Sequence, residues 1–107
     1  MSSSKEYLNF ILEQLSDLSE ITVKPMMGEF LLYNRGRLFG GIYDDRLLVK
    51  SVKSAIEYMP QAAYSLPYEG AKEMLLVDNV DDKAYLVGLI EAMFDDLPEP
   101  KRKKREK

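Results

Sequence analysis

Residues 21 to 50, ITVKPMMGEFLLYNRGRLFGGIYDDRLLVK, alternate apolar and polar side chains and are broken at short intervals by turn-forming residues. A period of two with such spacing constrains this third of the chain to short antiparallel strands, because neighbours joined by tight turns pair with one another. ITVKPMM reads as a strand. Pro25 lacks the amide a ladder needs, so this strand lies at a sheet edge or breaks there. Gly28 turns or bulges the chain. Phe30 to Tyr33 and Leu38 to Tyr43 read as a hairpin around NRGR, since Asn and Gly tolerate positive φ. A second turn at Asp44-Asp45 leads into RLLVK.

Helices flank this block. The spacing of Tyr7, Leu8, Ile11, Leu15 and Leu18 predicts an amphipathic helix over 3–17, with Phe10 and Leu12 widening its apolar stripe. Ser3 and Glu6 fit a capping box at its start. Ser51 is placed to cap a short middle helix that Pro60 stops. A weak strand near 64–66 and a clearer one in EMLLVDN follow. Asp81 is placed to cap a last helix that buries Leu86, Leu89, Ile90, Met93, Phe94 and Leu97.

The expected fold is therefore α+β. An antiparallel sheet of about four or five strands lies under N- and C-terminal amphipathic helices and a short middle helix, in two layers. The second sheet face is left to solvent or to a partner. A chain of 107 residues, 46% of them hydrophobic, suits one domain over 1–97. Residues 98–107, PEPKRKKREK, carry six Lys or Arg against two Glu, a net of +4, and read as a basic, disordered tail. Since the whole chain carries −3, the body carries −7.

Composition narrows the chemistry. There is no cysteine and no histidine. That removes thiol catalysis, disulfides, Ser-His-Asp and Cys-His arrangements, and imidazole or thiolate metal sites. No cofactor and no metal are expected. No apolar run is long enough to span a bilayer and the start is not a secretory signal, so a cytoplasmic protein without membrane contact is expected.

The glycines of GRLFGG match neither dinucleotide-binding nor P-loop spacing and read as turns and bulges. Asp44-Asp45 and Asp81-Asp82 sit where aspartate is expected structurally, in a tight turn and at a helix start. Met26 and Met27 read as gap-fillers or as part of an adaptable interface. Tyr33, Arg35, Arg37, Tyr43 and Arg46 read as a solvated sheet face with cross-strand pairs, as a recognition patch, or as a surface stacking on nucleic acid. The candidate interaction surface is thus Met26, Met27, Gly28, Glu29, Tyr33, Arg35, Arg37 and Tyr43. Lys101, Arg102, Lys103, Lys104, Arg105 and Lys107 are the candidate phosphate contacts, with a steep salt dependence and no sequence readout.

KPMMGEFLLYNRGRLFGGIYDDRLLVK resembles the signature of the TfoX/Sxy N-terminal domain: a methionine-glycine pair, an apolar hairpin, a glycine-rich strand, and a turn and strand of the form D-x-x-L-x-L-K. LPYEGAKEMLLVDN resembles the segment that follows, and the last helix fits the closing helix of that family. The resemblance covers residues 4 to 97. It implies an α+β domain that acts in transcription and DNA-uptake competence through protein contacts, with no catalytic residues to carry over. The resulting expectation is a non-enzymatic interaction module whose partner is another protein or a second copy of itself. Two alternatives stand beside it. One is a nucleic-acid accessory protein acting through its tail. The other is a small enzyme or ligand-binding domain, for which Asp44, Glu69, Lys72 and Tyr68 would have to converge on a pocket.

Overall fold

A computed structural model describes residues 4–98. The tail residues from Lys101 to Lys107 and the expected cap Ser3 lie outside the described residues. Helix α1 (Lys5–Gln14) is followed by strands β1 (Ile21–Met26), β2 (Glu29–Asn34), β3 (Arg37–Ile42) and β4 (Leu47–Val49). Helix α2 (Lys53–Tyr58), strands β5 (Tyr64–Ser65) and β6 (Met74–Leu76), helix α3 (Lys83–Met93) and a 3₁₀ turn (Phe94–Asp96) complete the order. All pairings are antiparallel, in the order β1-β2-β3-β4-β6-β5. The expected α+β class is present, with six strands.

Three two-residue turns fold the first four strands into a meander. Their central pairs are Met27-Gly28, Arg35-Gly36 and Asp44-Asp45, and all six residues have positive φ. Such turns carry the backbone twist that antiparallel strands need. Glycine takes this conformation freely, whereas Met27 and Arg35 each hold it at a cost of about 1 kcal/mol. Asp45 recovers part of that cost by accepting the Ser4 amide at 2.8 Å, which ties the start of α1 to the β3–β4 turn.

The register assigns the two faces. Val23, Leu32, Gly40, Val49, Leu75 and Tyr64 form one row across all six strands. Leu32, Val49 and Leu75 in that row join Leu8, Ile11 and Leu15 of α1 and Leu86, Leu89, Ile90 and Met93 of α3 in one core. Each fully buried aliphatic side chain there contributes about 2 kcal/mol. Lys24, Leu31, Gly41, Leu48 and Leu76 form the neighbouring row, which points away from the helices.

A bulge interrupts this alternation. Leu32 pairs with Gly40 but Tyr33 pairs with Leu38, so Phe39 is the extra residue. The bulge turns Phe39 into the helix-side core, where it is fully buried, and sends Leu38 to the opposite face. Gly40 is the only residue that fits beside it. A Cβ there would lie 2.1 Å from the Leu48 carbonyl oxygen and 2.8 Å from the Val49 Cα. Both contacts are to backbone, which cannot rotate aside.

Helix caps depart from the sequence reading by one residue. Ser4 caps α1 by accepting the Tyr7 amide at 3.1 Å, so Glu6 lies too early for the reciprocal half of a capping box. The helix ends at Gln14, before Asp17. Phe10 stays at the surface beside Tyr7 and does not widen the buried stripe. Asp82, not Asp81, caps α3 through the Tyr85 amide. Helix α2 begins after Val52, without a cap from Ser51; Asp96 of the 3₁₀ turn accepts the Ser54 amide at 2.9 Å. The Ser54 amide hydrogen bond helps hold the Asp96 carboxyl below its ordinary pKa.

Both sheet edges are blunted. The two-residue turn makes Met26 and Glu29 a hydrogen-bonded pair, and the Arg35 amide on the Glu20 carbonyl keeps the same alternation at the far end. The Pro25 nitrogen therefore faces the open edge, where it offers no donor to an added strand. The opposite edge, β5, is two residues long. Among the described residues no helix is long and apolar enough to cross a membrane.

Gly40→Ala is expected to lower the urea-unfolding free energy by at least about 3 kcal/mol, or to prevent folding. Gly70→Ala, at a φ of +87° with nothing within 4 Å, should cost only about 1 kcal/mol. Equal losses for the two would contradict the close approach of β3 to β4.

Candidate functional site

The sheet face away from the helices is not bare. Leu48 is fully buried yet lies outside the helix-side core, so this face has cover of its own. Gly41 sits in the middle of the row and the Tyr43 ring lies over it. A Cβ at Gly41 would stand 2.9 Å from that ring and 2.5 Å from the Phe30 carbonyl oxygen. Tyr68 meets Tyr43 with ring centroids 6.3 Å apart, tilted by 56°. Pro67 beside it is buried. The loop between β5 and β6 therefore roofs part of the face that the sequence leaves to solvent or a partner.

Arg46 fastens this roof. Its guanidinium donates to the Ser65 hydroxyl and, at 3.3 Å, to the Leu66 carbonyl, while its Nε donates to the Tyr43 carbonyl at 3.2 Å. One planar side chain thus joins the β3–β4 turn to the start of the loop.

Between roof and sheet lies an open groove of about 390 Å³. Leu38, Pro67 and Met74 give it apolar walls, and Gly40 lines it with backbone alone. Tyr43 and Tyr68 form one end. Lys50, Lys72, Ser51 and Glu73 supply the polar groups. Neither lysine is ion-paired to another described residue. A second cavity of about 330 Å³ lies between Tyr58, Met59, Asp78 and Tyr85. Its Tyr58 hydroxyl is already committed to the Tyr85 carbonyl at 3.1 Å. No group of three or more acidic side chains suited to a metal ion occurs among the described residues.

The residues singled out from sequence separate in space. Met27 stands at the β1–β2 tip with 96% of its surface exposed, next to Gly28, while Met26 is half-buried. Glu29 accepts the Asp44 amide at 3.1 Å, pinning the first and third turns together. The bulge gives Tyr33 Leu38 as its opposite number, and the ring facing Tyr43 is that of Tyr68. Arg35 and Arg37 lie at the other end of the hairpin, with guanidinium carbons 3.8 and 4.2 Å from the Phe94 ring centroid. Arg37 also donates to the Phe94 and Leu97 carbonyls, at 3.0 and 3.2 Å, and so closes the end of the 3₁₀ turn. These two arginines fix the hairpin to the last helix.

Of the eight surface candidates only Tyr43 lines the groove. Tyr68 and Lys72, named as pocket residues, meet it there; Asp44 and Glu69 do not line it. Lys50, Ser51, Glu73 and Met74 escaped sequence reading. Lys50 was within reach of it, because the residue after the buried run Leu47-Leu48-Val49 alternates to the face opposite Val49.

No family model matches the chain, and no solved structure matches it. It is similar to the "Uncharacterized 12.7 kDa protein in trpE 5'region" of Spirochaeta aurantia, with 29% identity over 105 residues, which covers 97% of this chain and 91% of that relative. The likeness thus spans the sheet, the helices and the roofing loop alike.

Burial raises the Tyr43 pKa above its ordinary value of 10.0, and the negative potential of Tyr68, Glu29 and Tyr33 adds to the shift. The folded state then holds this phenolic proton more tightly than the unfolded state does. Its contribution is complete below pH about 10 and is lost as pH rises through the raised folded pKa. Urea midpoints between pH 8 and 11 should therefore fall more steeply in the wild type than in Tyr43→Phe. Parallel profiles would contradict burial of the phenol.

Proposed function

We propose that the chain is a non-enzymatic, cytoplasmic protein-interaction module that recognises its partner through residues 64–68 at the β5 side of the sheet. One observation carries this reading. Tyr64, Leu66 and Tyr68 leave 51%, 45% and 56% of their surface exposed, so five consecutive residues hold three large apolar side chains in contact with water. Apolar exposure concentrated in this way marks contact surfaces on soluble domains, and tyrosine is favoured there because it buries much area with few rotors to freeze.

The blunted edges support the same reading by elimination, since Pro25 and the short β5 disfavour partner binding by strand addition. Arg46 holds the recognition segment to the β3–β4 turn, so little ordering cost attends binding. The resemblance to the TfoX/Sxy N-terminal domain supplies a setting, transcriptional or competence co-regulation through protein contacts.

A photoreactive phenylalanine analogue placed at Leu66 is expected to give a discrete cross-linked adduct in cells of the native host. The same analogue at Glu13, on the exposed side of α1, should give none. Absence of an adduct at 66, or the same adduct from both positions, would overturn the assignment.

A further inference from the structure

We infer that the groove on the far sheet face is a binding site for a small planar organic anion, with an aromatic monocarboxylate as the chemical class its walls and charges fit. This goes beyond the partner reading and does not rest on it, because the groove shares only Tyr68 with the exposed ridge.

Size and lining come first. A volume of about 390 Å³ falls within the range of small-molecule sites and is too small for a folded partner. Leu38, Pro67 and Met74 suit an apolar body, and they would be wetted without gain by a bare inorganic ion. The Tyr68 ring keeps 56% of its surface exposed beside the groove, which leaves it open to a stacked planar group. Gly40 contributes only backbone to the groove. A flat ligand can therefore approach the β3 backbone closely.

Charge decides the sign of the ligand. Residues 1–97 carry a net −7, yet the groove is lined by Lys50 and Lys72 against the single acid Glu73. A local positive excess inside an acidic body selects anions over cations. The same acidic body repels polyanions, so a singly charged ligand is favoured over a nucleotide or a nucleic acid. Two ammonium groups without carboxylate partners among the described residues give a carboxylate charge-assisted hydrogen bonds that no competing side chain must surrender.

The probe is 2-naphthoate, titrated into ¹⁵N-labelled protein and followed by amide chemical shifts, with 2-naphthamide as the uncharged counterpart of the same shape. The expected result is saturable shifts confined to residues 38–43, 50–52 and 68–74. Binding of the amide should be weaker by at least about tenfold, since hydrogen bonds to charged groups exceed neutral ones by that order. The double variant Lys50→Gln, Lys72→Gln should close the gap to less than about threefold with the shifts still in the groove. Equal binding of the two compounds to the wild type, shifts scattered over the helices, or no shift at millimolar ligand would overturn the site. The comparison in the wild type needs no variant to fold, and its failure leaves cross-linking at Leu66 unaffected.

Discussion

The approach of β3 to β4 at Gly40, and of the Tyr43 ring to β3 at Gly41, sets the geometry on which both sheet faces depend. A side chain at either position would collide with backbone, at 2.1 Å from the Leu48 carbonyl oxygen or 2.5 Å from the Phe30 carbonyl oxygen. On the helix side the vacancy at Gly40 accompanies the bulge that turns Phe39 into the core. On the other side the vacancy at Gly41 lets the Tyr43 ring approach the sheet closely. Two consecutive glycines at the centre of a sheet weaken it locally, because they lose the most backbone entropy and pack no side chain. Here that loss is offset by Phe39 on one face and Tyr43 on the other.

From that centre the structure is held by contacts between distant parts of the chain. Asp45 receives the start of α1, Asp96 receives the start of α2, and Arg37 closes the carbonyls at the end of α3. Arg46 extends the same pattern to the roofing loop. Each is a turn or helix end whose unpaired backbone groups find a charged side chain far away in sequence. A small α+β domain without disulfides gains order at its periphery in this way, where the apolar core does not reach.

Local patterns revealed much of this in advance, and their failures have two causes, equivalent neighbours and distant partners. The apolar spacing of Leu86, Leu89, Ile90 and Met93 marks α3, and the alternation of residues 21–50 marks the meander. The caps slip by one residue because SSS and DD offer neighbouring candidates of equal merit. Ser51 was expected to cap α2, and the hydrogen bond comes instead from Asp96, more than forty residues away. Arg35 and Arg37 look like a free surface pair in the sequence, since nothing local announces Phe94. The groove was the least legible feature. Its roof is irregular backbone fixed by Arg46, and irregular backbone has no periodicity to read. The candidate residues Tyr43, Tyr68 and Lys72 were named, but for different reasons and in different groups.

The central claim is that Tyr43 covers Gly41 and that the loop carrying Tyr68 closes over it, so that the far face holds a built groove and not a bare sheet. Nuclear Overhauser contacts within this trio test that claim most directly. Cross-peaks from the Tyr43 ring protons to both Gly41 Hα protons and to the Tyr68 ring, with the Gly41 Hα signals shifted by the ring above them, are predicted. Gly41 Hα shifts at random-coil values, with no contact between the two tyrosines, would contradict it.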